Sequence, residues 1–334
     1  MSTATPGPAS EYGALFRVSH WWRVLAPTGN RGDAVFRVLV FTSALVLLLI
    51  VGAMIVATAS ASVPSMREFG FGFLTGREWN PIQGRFGALA FIYGTVMSSL
   101  IALVVSVPLS LGVAVFLVEQ APRRLARPVT FLVELLAAIP SVVYGLWGIF
   151  VLAPVLRDYV KPPLQRFFGW VPLFQGPVET GTGLFTAGII LAIMITPIIS
   201  AVVRDVLAAV PVSQREAALA LGATKWETTR VVLANGGPGI AGAIILGLGR
   251  AIGETMAVTM LIGNRAQISA SLFEPSYTIA SVLANEFAEA SDEIFLSALV
   301  QLGLILFLVT FLINGAARLL VWSVTRGTSG TARA

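Results

Sequence analysis

Six stretches of this chain are each about 20 or more residues long and almost free of charge, and few architectures accommodate that. They run Val38–Ala59, Leu89–Val118, Val129–Leu156, Leu184–Val203, Gly239–Ile262 and Ile294–Ala317. A helix rising about 1.5 Å per residue needs about 20 predominantly apolar residues to cross a membrane, and each stretch is long enough. Only 12% of the 334 residues are charged and 56% are hydrophobic, against roughly 25% charged in soluble domains. The expected class is an all-α polytopic membrane protein with six transmembrane helices. Pro108, Pro140 and Pro197 fall inside spans two, three and four, so bent helices are expected.

The polar segments report orientation. Fourteen Lys and Arg residues lie before span one, between spans two and three, between four and five, and after six, against seven in the three opposite loops, with Arg250 left inside a span. The positive-inside rule then places both termini in the cytoplasm. The sequence divides into a cytoplasmic tail with an interfacial helix (1–37), a six-helix transmembrane domain (38–322) and a second cytoplasmic tail (323–334). In the first tail, "ALFRVSHWWRVLA" mixes arginines, tryptophans and aliphatics, as a helix lying among headgroups does. The sole histidine, His20, sits there and reads as an interfacial polar residue; "RGD" at Arg31–Asp33 reads as chance. "ATASAS" after span one resembles a signal-peptidase site, but the 22-residue run is too long for a signal h-region of about 7–15 residues and is read as an uncleaved span. With no cysteine and one histidine, thiolate metal sites, multi-histidine metal sites and His-based triads are excluded. No metal site, catalytic residue or nucleic-acid surface is expected, because the basic residues are dispersed rather than blocked.

Between spans four and five lies "RDVLAAVPVSQREAALALGATKWETTRVVLANGGPGI", longer than a connector requires. Pro211 suits a helix start and Gly222 a helix end. A second short helix, Thr224–Leu233, is expected to follow. Within this loop (211–235), "EAALALG", Glu216–Gly222, resembles the EAA loop of binding-protein-dependent ABC import permeases. Val232 fills that pattern's isoleucine position, whereas Ala234 and Asn235 stand where leucine and proline belong. The resemblance implies the type I ABC importer permease fold, with coupling helices seated in a groove of an ATPase subunit. Glu216 would offer that partner a charge, Ala217 and Ala218 would permit close approach, and Gly222 the turn. Without the resemblance, the same residues describe an amphipathic surface helix with a glycine cap.

Span five contains "GLGRAIGETMAVTML", with Arg250 and Glu254 four residues apart. Arg250 lies ~17 Å along the span from Gly239, near mid-membrane in a core about 30 Å thick. Charges at that depth cost about 2.5–3.5 kcal/mol each on insertion scales and normally face a bundle interior or a cavity. Spacing i,i+4 puts both on one helix face, where they could pair and only fix packing. Alternatively, the guanidinium fork could grip a tetrahedral oxyanion while Glu254 restrains it. This run closely resembles the span-five signature of phosphate-specific permeases (CysTW-type) within the same import family, and "IGN" (Ile262–Asn264) continues it. "GDAVFR", "EWNP", "FGALAFIYGT" and "ELLAAIPSVVYGLWG" agree, so the likeness covers about Gly32–Ala317. It implies a phosphate importer of the bacterial cell membrane. The partners implied are a PstA-like second permease, a PstB-like ATPase dimer that uses ATP and Mg, and an external PstS-like phosphate-binding protein. The chain lacks a GxxxxGK[ST] loop, and no cofactor is expected on it. Ser141 beside Pro140 is a further pathway candidate, though such a serine often bonds its own helix; Thr95 and Ser99 share that ambiguity, and Glu134 reads as an interhelical or snorkelling contact. Sulfate or molybdate import is the nearest alternative. A stand-alone carrier should show inverted repeats, which are not evident, and an intramembrane protease a Ser/His pair or paired aspartates, which the spans lack.

Overall fold

The computed structural model describes residues 31–329. The interfacial stretch around His20 and the last residues of the C-terminal tail lie outside them. The chain divides into two units, Met1–Ala57 and Thr58–Ala334. The described part of the first lies within helix α1 (Arg31–Ala61), whose apolar part, Val35–Ala61, is long enough to cross a membrane. The helix absorbs Gly32–Arg37, which composition alone assigns to the tail.

The second unit begins with two short helices, α2 (Val63–Phe69) and α3 (Gly72–Thr75), and a two-stranded antiparallel hairpin, β1 (Trp79–Asn80) and β2 (Arg85–Phe86). Five more membrane-length helices follow: α4 (Leu89–Gln120), α6 (Ser141–Phe168), α7 (Leu184–Ala209), α9 (Lys225–Gly253) and the apolar part of α12 (Glu293–Ser329). Between them lie α5 (Arg123–Ala137), α8 (Val212–Ala220), α10 (Met256–Leu261) and α11 (Ile279–Glu286). The six-helix, all-α expectation holds.

Helix α7 is the centre of the unit, with 67% of its most apolar window buried. Small residues let it pack tightly: Ala187 and Ala192 are buried against α4, and a Cβ on Gly188 would come within 2.5 Å of Ile101. Thr95 and Ser99 spend their hydroxyls on the α4 backbone, at Phe91 O (2.7 Å) and Thr95 O (2.8 Å). Thr95 also accepts the N–H of Ile279 at 3.0 Å, which ties α4 to α11. Gly94 on α4 meets the segment that precedes α11 so closely that a Cβ would lie 2.1 Å from the carbonyl of Tyr277. Gly94→Ala is therefore expected to destabilise the fold by about 1–3 kcal/mol, read as a lowered thermal midpoint of the detergent-solubilised chain; an unchanged midpoint would contradict this contact.

An aromatic cluster joins the hairpin to α11 and α12. Trp79 packs edge-on against Phe86 and Phe91, and its Nε1–H donates to Glu286 at 2.7 Å. Burial pushes the Tyr277 hydroxyl up to about 12 and raises the Glu286 carboxyl above its ordinary range, opposed by the hydrogen bond from Trp79.

Two spans depart from the sequence reading. Span three does not run Val129–Leu156: α5 stops at Ala137, and α6 starts at Ser141 and continues to Phe168. Pro140 is thus a helix boundary and not an internal kink, because proline disfavours helical geometry at the preceding Ile139 and supplies no N–H. Arg157, Lys161 and Arg166, expected in a loop, lie in the last turns of α6. Arg157 pairs there with Asp158 at 2.7 Å, and Lys161 is fully buried, donating to Thr180 O at 2.7 Å. Pro108 and Pro197 do lie inside α4 and α7. Glu134 makes the interhelical contact expected of it, to Arg204 on α7 at 3.0 Å. Span five departs at both ends, with consequences for the site.

Candidate functional site

Helix α9 carries Arg250 in its last turn and stops at Gly253. Glu254 is extended (φ −71, ψ 126), and α10 resumes two residues later. Span five is therefore not one helix over Gly239–Ile262, and the expectation that Arg250 and Glu254 share a helix face and pair is overturned. Side chains at i and i+4 become neighbours only when the turn between them is helical, and this turn is not. Glu254 is 8% exposed and Arg250 is exposed; neither joins an ion pair among the described residues.

The break has local and tertiary causes. Glycine at 253 weakens the helix by about 1 kcal/mol relative to alanine, and Thr255 returns its hydroxyl to the Gly253 carbonyl at 3.3 Å. The stronger constraint is packing of α10 on α6. A Cβ on Gly145 would lie 2.4 Å from Met260 Sδ, and one on Gly148 2.4 Å from Leu261 Cδ1; the two glycines leave room for the Met260 and Leu261 side chains against α6. The far end of α10 is closed by Gly263 (φ 91) and Asn264 (φ 49), the only non-glycine residue with positive φ among those described. The Asn264 amide donates to Thr259 O at 2.9 Å. "IGN" is thus the cap that ends the half-helix. A broken helix leaves backbone groups at the break without intrahelical partners, the arrangement by which discontinuous membrane helices line pathways.

Tyr144 on α6 lies in one buried cluster with Ala257 and Leu261 of α10. It is 7% exposed, and its hydroxyl donates to Leu136 O at 2.8 Å across the gap between α5 and α6. Ser141 stands one turn earlier, at i,i−3, on the same face of α6; its hydroxyl bonds none of the described residues. Tyr144 was missed in the sequence, although it lies three residues from Ser141 within "ELLAAIPSVVYGLWG". Arg250 is left exposed at the end of α9, and Glu254 is withdrawn into the packing. A guanidinium without a carboxylate partner keeps its fork of donors available to a tetrahedral oxyanion. Among the described residues, no group of three or more carboxylate, histidine or cysteine side chains is placed to hold a metal ion.

The second half of the site is the turn at the other end of α9. Pro211 precedes α8, and Gly222 follows it with φ 84. The N–H of Gly222 bonds Leu219 O at 2.9 Å and that of Ala223 bonds Ala218 O at 3.1 Å, the paired bonds of a Schellman motif, which needs a left-handed residue at Gly222. Thr224 then caps α9 reciprocally with Glu227, at 2.7 and 3.3 Å. The expected second short helix, Thr224–Leu233, is instead the beginning of the 29-residue α9. The helix runs on through Asn235, whose amide bonds Val231 O at 2.9 Å, and through Pro238 inside it. On α8 and its flanks Glu216 and Ala217 are exposed and Ala218 half-buried. Leu219, Leu221 and Trp226 are 52%, 90% and 66% exposed. Three large apolar side chains left open beside a charged helix form a surface suited to a protein partner.

The family model for "Binding-protein-dependent transport system inner membrane component" matches residues 106–326. The chain is 48% identical over 297 residues to the phosphate transport system permease protein PstC of Mesorhizobium japonicum, covering 87% of this chain and 90% of that protein. It is 47% identical to the protein of the same name in Pasteurella multocida, covering 85% and 89%. Among solved structures, the inward-facing MetNI methionine ABC transporter aligns with a TM-score of 0.49 at 20% identity, over 70% of this chain and 94% of that one.

Proposed function

We propose, for a chain that belongs to the family of binding-protein-dependent transport system inner membrane components, that its cargo is inorganic phosphate, moved inward at the expense of ATP hydrolysed elsewhere. The chain is a multi-pass permease subunit of an ABC importer. A second, PstA-like permease would complete the pathway, a PstB-like ATPase dimer would use ATP and Mg, and an external PstS-like protein would deliver phosphate. Both termini and α8 would face the cytoplasm, by the distribution of Lys and Arg.

The observation that carries this reading is Arg250, an exposed guanidinium with no carboxylate partner among the described residues, at the broken end of α9. A membrane-embedded cation left unneutralised is costly unless it serves an anion or a polar cavity. The names of the relatives supply the anion's identity, and Ser141 stands on the face of α6 that would contribute a donor. At the other end, the exposed Glu216, Ala217, Leu219 and Leu221 would seat in the ATPase, and ATP-driven movement there would shift the bundle between inward- and outward-open populations.

The test is ATP-dependent uptake into vesicles containing the complete complex. Phosphate is expected to accumulate only with ATP, undiminished by excess sulfate or molybdate. Transport of sulfate or molybdate in place of phosphate would remove the cargo assignment while leaving the importer.

A further inference from the structure

The residue beside the exposed Glu216 points the opposite way and ties α8 to two other elements at once. The Arg215 guanidinium leaves α8 and reaches the inner ends of two spans. Its Nη1 donates to Val210 O at 2.6 Å and its Nη2 to Leu207 O at 2.8 Å, both carbonyls at the end of α7. Its Nε and Nη2 also donate to Glu119 Oε1, at 3.2 and 3.0 Å. Glu119 lies in the π-helical turn Phe116–Gln120 that ends α4. The two side chains are 18% and 13% exposed, so this is a shielded pair and not a solvent-screened surface contact. The other ion pairs among the described residues each include a side chain at least 45% exposed.

A helix C-terminus can be capped by any nearby donor, and capping alone does not require a carboxylate from another span. Four hydrogen bonds from one planar group instead fix the orientation of α8 to both α4 and α7, and a displacement of α8 must carry those helix ends with it or break the set. Because buried residues of α7 from Ala187 to Leu207 share one cluster with Ala102 and Ala114 of α4, and the Ser110 hydroxyl of α4 donates to Thr196 O of α7 at 3.1 Å, movement at their inner ends is carried into the bundle. Close-packed elements shift as units.

We propose that Arg215 and Glu119 form a rigid strut that transmits displacement of α8 to the paired helices α4 and α7, making Arg215 a positioning residue for coupling and not a contact for the cargo or the ATPase. The proposal rests on the importer reading above. Arginine suits the role because its fork meets two carbonyls and a carboxylate simultaneously, which a lysine point charge does not.

The test compares the full complex, wild type, Arg215→Gln, Glu119→Gln and the double variant, in vesicles, measuring co-purification of the ATPase, ATP hydrolysis and phosphate uptake together. Each single variant is expected to retain the ATPase and its hydrolysis while uptake per ATP falls about tenfold, within the usual range for coupling between sites. The double variant should be no worse than either single, as residues acting as one unit behave. Arg215→Lys should recover only part of the ratio. Glu119→Gln is decisive, since it leaves both carbonyl contacts of Arg215 in place: an unaltered ratio in that variant would reduce Arg215 to a helix cap and overturn the strut. Loss of hydrolysis in step with uptake, or of the ATPase itself, would equally overturn it. If the wild-type complex shows no ATP-driven phosphate uptake, the importer reading fails first, and the strut fails with it.

Discussion

Arg250→Ala should assemble with its partners and leave the ATPase in place, yet lower phosphate uptake by about two orders of magnitude. A charge-assisted hydrogen bond contributes about 1.5–3 kcal/mol, and losing a two-pronged contact to an anion at the upper part of that range corresponds to about 100-fold. Removing the guanidinium should cost little stability, because Arg250 is exposed and joins no ion pair among the described residues. Arg250→Lys should keep the charge and lose the fork, giving an intermediate rate. Glu254→Gln separates the two roles. Were Arg250 chiefly a lock for Glu254, both variants would show the same defect and the double variant no more. With Glu254 buried beyond the helix break, its variant should instead act through packing, seen as a lowered thermal midpoint. Uptake by Arg250→Ala equal to wild type would remove Arg250 from the anion pathway.

Gly222→Asp should separate the ATPase from the membrane complex. Gly222 has φ 84, and a Cβ there would meet nothing within 4 Å. The chain can therefore accept a side chain sterically, and backbone strain is limited because aspartate and asparagine tolerate the left-handed region better than most residues. What changes is the surface: a carboxylate appears in the turn between the exposed Leu221 and Trp226. An unpaired charge buried in an interface costs about 3–5 kcal/mol, a weakening of two orders of magnitude or more. Gly222→Asn has the same shape without the charge and should retain most of the ATPase. Equal loss from both variants would assign the defect to the turn; undiminished co-purification of Gly222→Asp would count against the coupling surface.

The contrast between these two positions shows what was legible in the residues. The turn at Gly222 could be read directly, because a glycine ending a run of helix formers needs only local rules, and the Schellman bonds follow from them. The expected short helix after it was wrong for a tertiary reason. The capping signal at Thr224 marks a start correctly, but how far α9 continues depends on Gly236 and Gly239 packing against Val206. Span three failed similarly. Its apolar composition continues across Pro140, and hydropathy does not register that a proline placed between two helices ends one and begins the next.

Some properties were set by the order of residues alone: six apolar runs long enough to cross a membrane, the absence of cysteine chemistry, the EAA turn, and an arginine and a glutamate in span five. Each depends on composition or on contacts within about one helical turn. Tertiary structure decided the relation between those two charges. The run "GLGRAIGETMAV" has the spacing of a helical ion pair, and nothing within it forbids one. The pair is lost because the backbone turns extended at Glu254, and α10 resumes beyond it against Gly145 and Gly148 of α6, more than a hundred residues earlier in the chain. Contacts at that separation carry no signature in local periodicity. The same holds for Arg215: its neighbour Glu216 opens the EAA motif read in the sequence, but its partner Glu119 is found only once α4, α7 and α8 have been packed together.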